Sequence, residues 1–143
     1  MASLYDEDVL AWSIEQAALL RERRWSALDI QNLAEEIEDV GNSVRRELGS
    51  RMAVLIAHLL KWQYQPQLRS KSWRATIDVQ RESIAIKLAK VPSLKHTLAD
   101  DVWFVEIWKD ALVIAFKDTG LYQFPRMPVW TIEEVLDSMF FPA

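Results

Sequence analysis

Apolar side chains recur along this chain at intervals of three and four residues, and nowhere convincingly at intervals of two. That is the helical period, so the expected fold is all-α with no sheet. The longest such run is Ile30, Leu33, Ile37, Val44, Leu48, Met52, Leu55 and Leu59, which stay within one narrow arc at ~100° per residue. The phase survives Gly41-Asn42-Ser43, where a turn would normally reset it. One long helix over about 30–63, with Gly41 as the place for a kink, is therefore preferred to two helices, although Gly-Asn is also a good helix stop.

Shorter stripes flank that helix. Tyr5, Val9, Trp12, Gln16, Leu19 and Leu20 share a face of a first helix, which starts near Ser3 or Tyr5. Its acids Asp6, Glu7 and Asp8 sit at the positive end of the dipole, and Arg21, Arg23 and Arg24 close the negative end. Asp29 can cap the long helix. Pro66 stops that helix, and Ser70 or Ser72 can cap its successor, whose stripe is Trp73, Ile77, Gln80, Ile84, Leu88 and Val91. A fourth helix is expected from Ser93 through Lys117, with Leu94, Leu98, Val105, Leu112 and Phe116 facing inward and Thr119-Gly120 as its stop. Thr131-x-x-Glu134 is a capping box, with Trp130 and Val135 spaced as a hydrophobic staple, so a short C-terminal helix to about Ser138 is expected. The architecture is a small helical bundle: the long helix, two further main helices and the short last one, in a single domain over residues 1–143.

Composition narrows the function classes. There is no cysteine, hence no disulfide, thiolate metal site or cysteine nucleophile, and two histidines cannot make a three-histidine metal site. No glycine-rich phosphate loop and no Gly-x-Ser-x-Gly elbow occurs, so no cofactor is expected and an enzyme is the minority reading. No apolar run reaches the ~20 residues of a membrane span. The acidic Met1–Asp8 start is unlike a signal peptide, so no membrane contact and a cytoplasmic location are expected.

Charge is distributed unevenly. Residues 1–39 hold ten acids and three bases, whereas residues 61–74 hold four bases and no acid. The second stretch also contains Trp62, Tyr64 and Trp73, with His58 just before it. His58, Lys61, Trp62, Arg69, Trp73 and Arg81 are the candidate polar-aromatic site. Cations beside aromatic faces suit a small anion or a nucleic acid, but the acidic whole-chain balance and the lack of a recognition motif weigh against nucleic acid. The alternative is structural: the basic segment folds over the acidic start, and Arg69 or Arg74 pairs with an acid among Asp6, Glu7, Asp8, Glu35, Glu36 and Glu38. Gln80 and Arg81 are expected to be buried and bonded, Arg81 to a carboxylate. His58 as a base would need an acid such as Glu47 or Asp6–Asp8, because Glu35 and Glu38 lie roughly 30 Å up a continuous helix. Glu35, Glu36 and Glu38 lack the Glu-x-x-His partners of a di-metal bundle, so no metal is expected.

These residues carry a resemblance. Tyr5-Asp6-x-Asp8, Trp12, Gln16, Asn32-Leu33-Ala34-Glu35-Glu36-Ile37-Glu38, Gly41 and Arg46-Glu47-Leu48 form its first part. His58-Leu59-Leu60-Lys61-Trp62-Gln63-Tyr64-Gln65-Pro66 and Arg69-x-x-Ser72-Trp73-x-x-Thr76-Ile77-x-x-x-Arg81 form its second. In combination they are specific, and the chain resembles, nearly end to end, a bacterial and cyanobacterial family known as domain-of-unknown-function family 29. The resemblance implies a small all-helical protein and transfers no catalytic residue. One departure is Trp103-Phe104-Val105-Glu106-Ile107-Trp108, a segment usually more charged in such proteins. Here Trp103, Ile107 and Ile114 oppose the Leu98-Val105-Leu112 stripe, so one of the two faces needs a cover. The leading functional expectation is a helical interaction or regulatory module that binds a protein partner or forms a homo-oligomer. The alternatives are a small-anion-binding protein or enzyme using His58, Lys61, Arg69 and Arg81, and a nucleic-acid-associated accessory protein.

Overall fold

A computed structural model describes residues 3–143. Among them are seven α-helices and no strand: α1 Leu4–Glu7, α2 Val9–Arg21, α3 Ile30–Tyr64, α4 Lys71–Lys90, α5 Leu94–Leu98, α6 Asp101–Thr119 and α7 Ile132–Leu136. Short 3-10 turns at Trp25–Ala27 and Pro66–Leu68 precede α3 and α4. The long helix is real and unbroken: α3 runs through Gly41 for 35 residues. The chain divides into two compact units, the first ending at Ser43 and the second being Val44–Ala143.

In the first unit, the expected first helix is two helices. Ser3 caps α1 through a capping box with Asp6. Asp8 then adopts extended backbone at φ −154°, and its carboxylate accepts from Ala11 N at 3.0 Å. An acid expected to serve the helix dipole instead stops one helix and starts the next, because its short side chain satisfies an orphan amide. Trp12, Gln16 and Leu19 are buried as anticipated, but Val9 and Leu20 of the same stripe are exposed. Asp29 holds the turn together: it accepts from the Trp12 indole at 2.9 Å and the Asn32 amide side chain at 2.8 Å. Its own N–H donates to Gln16 Oε1 at 2.8 Å. These donors hold the Asp29 carboxyl below its usual range, the Asn32 bond first and the Trp12 bond next. Tyr5 adds an edge-on contact to Trp12 at 4.8 Å and donates to Glu36 at 2.6 Å.

The second unit contains the main hydrophobic core. Leu48, Met52, Leu55, Ile56, Leu59 and Leu60 of α3 are fully buried, with Ile77 and Ile84 of α4, Trp108 of α6 and Val135 of α7. Ser70 caps α4 through Trp73 N, and α4 stops before Pro92. The expected fourth helix is broken: α5 ends at Leu98, and Asp100 caps α6 by accepting from Val102 N and Trp103 N. The break resets the phase. The buried face of α6 is Phe104, Ile107, Trp108, Ala111 and Ala115, which lies between the two stripes anticipated from spacing. Trp103, Leu112 and Ile114 pack on the edges of this core, so the apolar surplus of α6 is largely covered within its own unit. Gly49 permits the closeness: a Cβ there would meet Ile107 Cδ1 at 2.9 Å. Gly120 ends α6 at φ +71°, and Thr131 with Glu134 forms the capping box of α7.

Candidate functional site

The end of α3 and the start of α4 bring the cationic and aromatic residues together, and their partners come from the end of the chain. Arg81, buried in α4, donates from Nε to the Val135 carbonyl at 2.9 Å and from Nη2 to the Phe140 carbonyl at 2.7 Å. Arg69 donates from Nε to the Trp62 carbonyl at 2.8 Å and from Nη2 to Pro142 O at 3.4 Å. The Phe141 ring meets two guanidinium groups and an indole: Arg74 is 4.4 Å and Arg81 5.2 Å from its centroid, and Trp62 packs at 5.1 Å. Arg69 in turn covers the Trp62 ring at 4.9 Å. The arrangement is a clasp in which guanidinium forks and rings grip Val135–Pro142.

The chemistry of the clasp is that of positioning. A guanidinium can satisfy two carbonyls at once because its donors are splayed in one plane. Val135 lies in the last turn of α7 and Phe140 beyond it, so neither carbonyl has an intrahelical partner, and the Arg81 guanidinium supplies the donors. The expected carboxylate partner of Arg81 is replaced by backbone carbonyls. Burial draws its guanidinium below its ordinary value, while Asp137 and Asp78 oppose that drift. Its Nη1 is buried with no hydrogen-bond partner among the described residues. Arg69 and Arg74 likewise spend their charge on carbonyl oxygen and ring faces rather than on the acids expected for them.

One cation of the corner does meet an acid. Lys61, buried although charged, reaches Asp118 of α6 at 2.9 Å and stands 5.2 Å over the Trp73 ring. The ion pair and the ring face together replace the water that burial removes. Gln80 is half-buried and accepts from Arg51 Nη1 at 3.3 Å. His58 is half-buried, and its Nδ1 lies 2.9 Å from Val54 O one turn back. A carbonyl only accepts, so Nδ1 carries the proton. Burial is the main force lowering the His58 pKa, with Lys61 adding to it and the Val54 bond opposing it. Glu47, an acid that could have served His58, is engaged with Lys87 at 2.6 Å and Arg51 at 3.5 Å. Together they line a small cleft with Ile86 and Lys90, and a cleft of about 470 Å³ opens between the α5–α6 corner and residues 128–133.

Spacing could not reveal that the partners of Arg69 and Arg81 are main-chain oxygens, since every residue carries one. The available hint was Phe140-Phe141-Pro142, an apolar group beyond the last expected helix. A second surface was also missed. Leu10 and Ile14 of α2 are 68% and 64% exposed, on the face opposite Trp12, Gln16 and Leu19. The signal was present in α2, which is apolar nearly all round although one side already packs.

Among the described residues, no helix is long and apolar enough to cross a membrane, and no three His, Asp or Glu residues group to hold a metal ion. No curated protein and no solved structure matches the chain. The model of one family, described as domain of unknown function DUF29, matches residues 4–141. With the all-helical fold and nearly the whole chain inside that match, the protein belongs to the DUF29 family.

Proposed function

We propose that this protein is a helical interaction module, and that its docking element is the outer face of α2. The observation that carries the reading is the exposure of Leu10 and Ile14 on a helix that is apolar on both sides. A helix of that kind is normally covered all round. Its surroundings agree. Between residues 3 and 43 the buried side chains are Trp12, Gln16 and Leu19, whereas Val9, Leu10, Ile14, Trp25, Ile30, Ile37 and Val40 are each more than half exposed. Scattered apolar residues need no explanation, but this density in a short hairpin does. The ten acids of residues 1–39 oppose adsorption to an anionic lipid surface, so a protein surface is the fitting cover.

The clasp supports the same reading from the other side. Its cations are committed to carbonyls, rings and Asp118, an arrangement that positions the chain end rather than presenting charge to a ligand. A double variant, Leu10→Glu with Ile14→Glu, tests the proposal. The expected result is an unchanged circular dichroism spectrum and melting temperature, with loss of apolar-dye binding and of any association the parent shows. A variant that unfolds would place these side chains in a core. Unchanged dye binding and association would also sink the proposal.

A further inference from the structure

The outer face of α2 has an internal symmetry that selects its occupant. Leu10, Ile14 and Ala18 stand four residues apart, with Ala17 beside them and Arg21 beyond. Leu10 and Ala18 are equidistant from Ile14. Reversing the helix about Ile14 therefore sets the large Leu10 against the small Ala18 and brings Ile14 onto itself. The flanks are complementary in the same sense. Asp6 and Glu7 of α1 and the N-cap Asp8 precede α2, whereas Arg21 closes it and Arg23 and Arg24 follow. Among the described residues only Arg24 of these three has an ion-pair partner, the exposed Glu22 at 3.7 Å.

We infer that the partner seated on α2 is a second copy of this chain, packed antiparallel about a two-fold axis at Ile14. This rests on the reading of α2 as a docking face and names what docks there. An antiparallel pair places the arginines of one copy beside the acids of the other, and the positive end of each helix dipole beside the negative end of its mate. A parallel pair would instead set three arginines against three arginines. The two-fold arrangement makes one patch serve both sides of the contact, which is the usual solution for dimers. Alanine at 17 and 18 lets the helix axes approach closely enough for Ile14 to pack on its counterpart. A thirteen-residue helix pair covers less than a standard interface, so the dimer should be weak and concentration-dependent.

The chain contains no cysteine, which makes the geometry directly testable by cross-linking. In the full chain, Ile14→Cys should oxidise to a disulfide-linked dimer. Leu10→Cys alone should not, and Leu10→Cys with Ala18→Cys should. Light scattering of the parent should approach twice the 16.6 kDa chain mass as concentration rises, and Arg21→Glu should weaken the dimer about tenfold at low salt. Ready linking of Leu10→Cys to itself would indicate parallel helices and overturn the inference. So would a parent that stays monomeric into the submillimolar range. Such a monomer that still binds apolar dye through Leu10 and Ile14 would leave α2 as a docking face for a different protein. One that does not bind dye would remove both readings.

Discussion

His58 shows how a residue chosen for its chemistry can have a different consequence. Its proton faces the Val54 carbonyl, and burial favours the neutral ring. A histidine whose folded pKa lies below its unfolded value of 6.5 stabilises the fold fully above about pH 6.5. That contribution is lost as the pH falls through the lowered folded value, because the unfolded state then binds the extra proton. Urea unfolding should therefore show stability falling between pH 7 and the acid side of that value, and His58→Gln should flatten this part of the profile. An unchanged profile in the variant would show that the ring protonates freely. Lys61 and Arg81 carry the related lesson for cations. Both sit on apolar helix faces, where a charge is tolerated only if ring faces, carbonyls or a carboxylate replace water.

At the scale of elements, glycine and aspartate have opposite outcomes. Spacing marks Gly41 as a place for a kink, yet α3 passes through it and nothing lies within 4 Å of the position its Cβ would take. Its cost is then only the backbone freedom lost in a helix. Gly41→Ala should raise unfolding stability by about 0.5–1 kcal/mol, and a decrease in a denaturant titration would reveal a hidden steric or hinge role. Asp8 and Asp100 fall inside helices by periodicity alone, but they are N-caps that split two helices. Periodicity misses such breaks because one or two residues interrupt the spacing of three and four too briefly to stand out, whether or not the phase changes. The capping box at Thr131 and the Gly120 stop were legible because each combines a cap residue with a second signal, a glutamate three residues on or a threonine before the glycine, whereas the structure chose Ser70 from the two serines offered for α4.

For the molecule as a whole, the end of the chain is a structural member. The Trp108 indole donates to Pro125 O at 2.8 Å, Trp130 stacks edge-on against Trp108 and Phe140, and Phe141 lies under two arginines. Removing residues 138–143 would strip the acceptors from Nη2 of Arg69 and from Nη2 of Arg81 and expose Trp62 and Trp130. The loss should be at least ~3 kcal/mol, read as a lower urea midpoint, since it combines lost aromatic burial with the buried Arg81 Nη2 left unsatisfied. A truncated chain as stable as the parent would mean that the clasp closes over nothing essential. The sequence by itself determined the helical class, the length of α3, the caps at Thr131 and Gly120 and the gathering of cations with rings near 58–81, because periodicity, capping and composition are local properties. Only the tertiary structure decided that α6 buries the face between its two apolar stripes, that α2 keeps one face uncovered, and that Arg69 and Arg81 hold backbone oxygens. Those outcomes depend on what each surface meets, and an apolar stripe or a guanidinium is compatible with several neighbours until the chain supplies one.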